Sequence, residues 1–232
     1  MGVIWDGLKQ AVLLLAGGDA EVVSITLLSL RVSGAATLLS LLIGLPLGTV
    51  LALGQFRTRK FWVSLVNTGM ALPPVVVGLA VAMTLWRSGP LGDLHLIYTP
   101  AAIVIAQVII AAPVVTGLTA AALQQLDPRL RLQLYGLGAS RAQMILALWR
   151  QARLPLLAAL MAGFGSVISE VGASMMVGGN IRHQTRVLTT AIVLNTDMGD
   201  FGSAIALAIF LLLITFLINF ALTWIQQRGV RR

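Results

Sequence analysis

The sequence predicts an all-α polytopic membrane protein with five transmembrane helices and an N-terminal interfacial helix. Three observations carry that expectation. The chain of 232 residues is 58% hydrophobic and 10% charged, with a mean hydropathy of +0.93. Soluble domains carry about 25% charged residues, so this chain lacks the polar surface to cover a globule in water. Uncharged runs then extend over Val32–Phe56, Phe61–Trp86, Leu94–Leu126 and Phe201–Gln227, and Leu154–Ile181 is interrupted only by Glu170. Each is long enough for the ~20 residues that cross a bilayer. Finally, the runs are continuously apolar, without period-two alternation. Inside lipid the backbone must satisfy its own hydrogen bonds, so such runs are helices rather than barrel strands.

In chain order, "GLKQAVLLLAGGDA" (7–20) comes first. Its apolar stretch is too short to span. Trp5 and Asp6 fit poorly in the leading region of a signal peptide, which favours a retained helix over residues 1–20 lying in the interface. A transmembrane domain over 21–226 and a basic cytoplasmic tail over 227–232 follow. In the first span, Gly44 and Gly48 form a small-xxx-small pair suited to helix packing. The second holds "ALPPVVVG", whose Pro73 and Pro74 free backbone carbonyls and bend the helix. Broken helices in transporters mark the translocation pathway, and a purely structural kink is the alternative. Pro113 in the third span poses the same choice, with Thr116 and Thr119 beyond it as candidate pore hydroxyls. Glu170 is the only acid well inside an apolar run. A charge there faces a bundle interior, a partner or water, so it is either a pathway group or a structural acid tied to backbone or to Arg182.

Charge orients the spans. The 57–60 loop, the 127–153 loop and the C-terminus hold eleven basic residues against one acid, Asp127. The alternate loops carry Lys9, Arg31, Arg87, Arg182 and Arg186 together with six acids. The positive-inside rule makes the first set cytoplasmic, with the N-terminus outside and the C-terminus inside. The net charge of +8 is then a topology signal and no sign of nucleic-acid binding. With no cysteine and only His95 beside His183, thiolate or histidine metal sites are not expected.

The 127–153 loop is unusually specified. Asp127 and Pro128 stand where an N-cap and an N1 proline belong, and Ser140 with Gln143 has the spacing of a capping box. Gly136 and Gly138 lie between, able to end one helix and supply positive φ for a sharp turn. The loop should therefore be two short helices around a glycine corner. Connections usually take about 2–8 residues; this longer, basic-rimmed knuckle reads as a docking element. The chain has no GxxxxGK[ST] phosphate loop, so ATP-driven work would need a separate motor subunit.

This segment resembles the cytoplasmic coupling loop of ABC importer permeases, which reads E-A-A, three residues, Gly, nine residues, Ile, one residue, Leu-Pro. Gly138 matches the glycine, and Leu154-Pro155 the closing pair, four residues late. The E-A-A positions are Leu132-Gln133-Leu134, without the acid. Three stretches, "MALPPVVVGLAVAMTLWRSGPLG", "ISEVGASMMVGGNIRHQTRVLTTAI" and "TDMGDFGSAIALAI", resemble the tungstate-type oxyanion permeases, relatives of the molybdate and sulfate permeases.

The resemblance implies the type I ABC importer permease fold in the cell membrane of a prokaryote. It also implies a homodimer with two ATP-binding cassette subunits and an extracytoplasmic oxyanion-binding protein. The chain itself would be no enzyme and bind no cofactor, ATP and Mg being used by the partner. Tyr135, Gly136, Gly138, Ala139, Ser140 and Arg141 would then couple to the ATPase. The outer loop "GGNIRHQTR" holds donors that suit an oxyanion, whose oxygens only accept, and would equally offer Asn180, Arg182, His183 and Arg186 to the acidic rim of a binding protein; an ordinary solvated loop is the alternative. Two other functions fit less well. An ion-coupled secondary carrier would need more membrane-embedded charge, and five spans do not divide into equal inverted repeats. A membrane enzyme would need paired carboxylates, a His cluster or an activated nucleophile at one depth.

Overall fold

The computed structural model describes residues 19–228, together with Trp5, Lys9 and Gly17. The expectations for the 1–20 interfacial helix and for the 227–232 basic tail therefore lie mostly outside the described residues, Ala20 beginning one long helix and Gln227 and Arg228 ending another. The described residues form ten α-helices and one 3-10 turn, with no strand among them. In chain order the helices are α1 (Ala20–Leu53), α2 (Arg59–Met70), α3 (Pro74–Leu85), α4 (Pro100–Gln124), α5 (Pro128–Gly136), α6 (Arg141–Gln151), α7 (Arg153–Ile168), α8 (Gly172–Gly178), α9 (Leu188–Asp197) and α10 (Phe201–Arg228).

α1, α4 and α10 are each long and apolar enough to cross a membrane. The first span begins twelve residues before the expected Val32, because Asp19 caps α1 by accepting from the backbone N–H of Glu21 and Val22 at 2.9 and 3.0 Å. Glu21 sits favourably in that first turn, where the helix dipole attracts negative charge. The 34 residues of α1 make about 51 Å at 1.5 Å per residue, which overshoots the ~30 Å hydrocarbon core. Asp200 opens α10 in the same way, accepting from Ser203 N–H at 3.1 Å. Hydrogen bonds from the Ser203 side chain and backbone hold the Asp200 carboxyl below the usual carboxylate value.

The other two expected spans are broken. The second turns by 99° between α2 and α3 across Ala71–Pro73, a sharper effect than a kink. Pro74 at N1 of α3 and Pro73 before it forbid continuation of α2, since neither has an N–H to donate. The fourth breaks at Ser169–Val171, between α7 and α8. No proline marks this second break.

α1 lies along α4, and the core joins α1, α3, α4 and α8 through Val32, Val77, Val81, Ile103, Ala106, Ala173 and Val177. The Gly44 and Gly48 pair packs as expected. A Cβ added at Gly44 would lie 2.7 Å from Val115 Cγ1, and one at Gly48 2.6 Å from Thr116 O. A second cluster, Val22, Ile25, Leu188, Ala191 and Leu207, fastens α9 and α10 to the start of α1. α10 turns Leu212, Phe216, Leu217 and Phe220 outward, as lipid contact requires.

Candidate functional site

The knuckle forms as its sequence specifies. Asp127 Oδ1 accepts from Arg129 N–H at 2.8 Å, with Pro128 at N1. Ser140 and Gln143 complete the capping box reciprocally, Ser140 N–H donating to Gln143 Oε1 at 2.8 Å and Gln143 N–H to Ser140 Oγ at 3.3 Å. Gly138 has φ +76°. Gly136 does not share that role: it is the last residue of α5, and positive φ falls on Gly138 alone in this corner.

The knuckle is anchored from beneath. Met144, Leu148 and Ala152 pack on Leu123 of α4, flanked by Ala52, Leu53 and Trp149. Trp149 Nε1 donates to Thr49 Oγ1 at 2.9 Å. Arg59 Nε and Arg131 Nη2 donate to the carbonyls of Leu51 and Leu53 at 2.8 and 3.3 Å. Two cations thus cap the last carbonyls of α1, which have no intrahelical partner. Above this base, Leu132 and Leu137 stand 71% and 83% exposed beside Tyr135, while Gly136, Ser140 and Arg141 are exposed and Ala139 is half-buried. An uncovered apolar tip thus stands on a packed and hydrogen-bonded base.

The two helix breaks meet. A Cβ on Gly172, at the start of α8, would lie 2.8 Å from Val75 Cγ2, in the first turn of α3, and 3.7 Å from Glu170 Oε1. Pro73, Pro74 and Glu170 therefore share one neighbourhood. Glu170 is 7% exposed and caps α8: its Oε1 accepts from Ala173 N–H at 2.8 Å, and its carbonyl accepts from Thr189 Oγ1 at 2.8 Å. Its tie is to backbone; Arg182 pairs elsewhere. Pro113 lies against Gly69 of α2, where an added Cβ would come within 2.9 Å. Thr116 and Thr119 are buried in the α1–α4 seam, Thr116 Oγ1 donating to Ala112 O at 2.7 Å.

The loop over 178–186 is a structured turn. Asn180 and His183 have φ of +50° and +62°, and Gly179, at +68°, ends α8. Thr185 Oγ1 accepts from Ile181 N–H at 2.9 Å and donates to Gly178 O at 2.5 Å. Asn180 Nδ2 donates to Thr190 O at 3.3 Å. Arg182 Nε donates to Glu21 Oε1 at 2.9 Å, its Nη2 pairs with Oε2, and Arg186 Nη1 reaches Oε1 at 3.5 Å. The Glu21 hydrogen bond and charge raise the Arg182 pKa above its ordinary value. The two arginines are unequal: the side chain of Arg182 is 62% exposed and that of Arg186 18%. Arg182→Glu should loosen the loop from α1, and adding Glu21→Arg should restore it. Proteolysis within 179–187 measures this; equal protection in wild type and single variant would deny the link a structural role.

The family described as binding-protein-dependent transport system inner membrane component matches residues 44–231. The chain belongs to that family. The tungstate uptake system permease protein TupB of Peptoclostridium acidaminophilum is 38% identical over 227 residues, covering 98% of this chain and 100% of its own length. The protein of the same name from Campylobacter jejuni is 37% identical over 217 residues, 94% of this chain and 91% of its own. Among solved structures, an inward-facing MetNI methionine ABC transporter superposes with a TM-score of 0.74 at 18% identity, over 90% of this chain and 96% of that one. The fold is that of the type I ABC importer permeases.

Three features of this inner membrane component were missed by sequence reasoning. Glu21 holds the 178–186 loop through Arg182, 161 residues away. Arg59 and Arg131, read only as topology signals, cap α1. Gln107, 2% exposed, donates to Val167 O at 3.2 Å and so serves a carbonyl at the α7–α8 break. The signal for Gln107 was present: it is the one amide in the interior of an otherwise apolar third span.

Proposed function

We propose that this permease is the membrane-spanning subunit of an ATP-driven, binding-protein-dependent importer of an oxyanion, tungstate or molybdate. The observation that carries the coupling half is the knuckle, whose Leu132, Tyr135 and Leu137 are exposed on a mount held by Thr49, Leu51 and Leu53 of α1. An apolar tip in water invites a protein partner, and here that partner is the ATP-binding cassette subunit. The substrate follows from the tungstate permeases that match along nearly the whole chain.

The chain works as a homodimer on two such ATPase subunits, which use the ATP and Mg. Closed two-fold symmetry places the conduit between the copies. It runs past the joined breaks at Pro73, Pro74 and Glu170, while Pro113, Thr116 and Thr119 hold the surrounding helices together. Alternating access follows when nucleotide-driven movement of the knuckles shifts the population of spans between two states.

The N-terminus faces outside and the C-terminus the cytoplasm. The chain contains no cysteine, so single cysteines report sidedness: Arg129→Cys should resist an impermeant thiol reagent in intact cells and react in inverted vesicles. Labelling from outside would reverse the orientation. An acidic rim on the binding protein meets Asn180, Arg182, His183 and Arg186. Arg182→Glu with Arg186→Glu should raise the binding-protein concentration needed to stimulate ATP hydrolysis, more at low salt, because rim charges act on encounter. An unchanged concentration dependence at both salts would remove the loop from docking.

The deciding experiment is ATP-dependent uptake of labelled tungstate, molybdate and sulfate by proteoliposomes holding permease, ATPase and binding protein. Uptake driven by an ion gradient without ATP would replace this reading with that of a secondary carrier.

A further inference from the structure

α2 is the one helix of the expected spans with no buried residue among those described, and its exposed surface is divided. At about 100° per residue, Lys60, Ser64, Asn67 and Thr68 share one stripe, and all four are exposed. Val66, Gly69 and Met70 lie about 150° away on the same wheel and face α4. A Cβ on Gly69 would come 2.9 Å from Pro113, and one on Gly117 would come 2.6 Å from Met70 Sδ and 3.5 Å from Val66 Cγ1. The polar stripe therefore points away from the body of its own chain. Ser64 and Asn67 make no side-chain hydrogen bond among the described residues, and Thr68 Oγ1 only returns to Ser64 O at 2.9 Å.

The depth of α2 makes this stripe informative. α2 starts beside the end of α1, tied by Arg59 to Leu51 O. It climbs antiparallel to α4, passing Gly117 at Val66 and Pro113 at Gly69. Its 12 residues cover about 18 Å, more than half of a ~30 Å hydrocarbon core, and they end at the Ala71–Pro73 break. A helix lying flat on the membrane surface would not follow α4 to its middle. Serine and asparagine at such depth avoid lipid and face protein or a water-filled cavity. The stripe also leads directly from the cytoplasmic side to the joined helix breaks.

We propose that Ser64, Asn67 and Thr68 line the cytoplasmic half of the oxyanion conduit, with Lys60 at its inner mouth and a second copy supplying the opposite wall. The inference rests on the proposed function and adds residues to it. The chemistry suits an anion: the hydroxyl of Ser64 and the amide of Asn67 donate hydrogen bonds, Lys60 adds positive charge, and no carboxylate occurs between Arg57 and Arg87. The donors are neutral, so an anion is guided without being trapped, as conduction requires. One stripe cannot enclose a path, so the site is incomplete without the partner copy.

Single cysteines at Ser64, Asn67 and Leu65, the last an apolar neighbour off the stripe, test this in the assembled transporter with its ATPase and binding protein. A small, charged, water-soluble thiol reagent should modify Ser64→Cys and Asn67→Cys but not Leu65→Cys. Modification should abolish tungstate uptake, and a homobifunctional thiol cross-linker should join Asn67→Cys across the two copies. Reactivity equal to that of Leu65→Cys would overturn the inference, as would modification that leaves uptake intact or cross-linking without water access. Because modification is read by mass, it reports on the stripe even if the cargo is not tungstate. Failure of unmodified wild type to transport would instead strike the proposed function.

Discussion

Replacing Gly138 by proline is expected to abolish ATP-driven uptake while the chain still reaches the membrane. Gly138 sits at φ +76°, and a Cβ built on it meets nothing within 4 Å. Space within the chain is therefore not at issue, and substitution acts through the backbone, by its conformation and its hydrogen bond. Proline is locked near φ −65° and would also remove the N–H that donates to Tyr135 O at 3.0 Å. The corner between α5 and α6 would reopen, displacing Tyr135 and Leu137 relative to the mount formed by Trp149 and Arg131. The rest of the series follows from the same argument. Alanine in the left-handed region costs about 1–2 kcal/mol, whereas asparagine tolerates it better through local hydrogen bonding. Uptake should rank wild type, Asn, Ala, Pro at equal membrane abundance. Full uptake by Gly138→Pro would mean that the knuckle does not transmit the ATPase stroke.

The second large effect concerns stability and is read on two glycines of one helix. A Cβ at Gly48 would lie 2.6 Å from both Thr116 O and Thr119 Cβ, whereas one at Gly34 meets nothing within 4 Å. The carbonyl of Thr116 belongs to the backbone of α4, so it cannot rotate aside as a side chain would. Gly48→Ala should push α1 and α4 apart and destabilise the permease by about 2 kcal/mol, within the usual range for overpacking. Gly34→Ala meets no such obstacle and should be neutral or slightly stabilising, since alanine favours a helix over glycine by about 1 kcal/mol. Thermal unfolding of the purified permease in detergent compares them. Equal shifts for the two variants would show that the α1–α4 approach is not set at Gly48.

Much of this architecture is local, and local features were legible. Asp127 with Pro128, and Ser140 with Gln143, each specify a helix start through residues no more than three apart, because a cap is a contact between neighbours in sequence. Gly138 was recognisable as the corner for the same reason, although Gly136 looked equivalent until the end of α5 was placed. Pro73 and Pro74 announced a break through the missing N–H. The break at Glu170 had no such letter: it is held by Gln107, Ser174 and Thr189, whose partners lie 19 to 67 residues away.

The sequence by itself determined the membrane class, the approximate spans and the two-helix knuckle, because apolar length and end-capping are recorded in consecutive residues. Only the tertiary structure decided which faces pack. It joined the two breaks, set Glu21 against Arg182 and Arg186, turned Thr116 and Thr119 toward α1 and left the stripe of α2 uncovered. The reason is the solvent. In water, an amphipathic pattern shows which side of a helix is buried. In lipid the outer face is as apolar as the packed one, so α1 and α10 carry almost no amphipathic signal of rotation. The exception is α2, where the pattern survives because one face does not meet lipid.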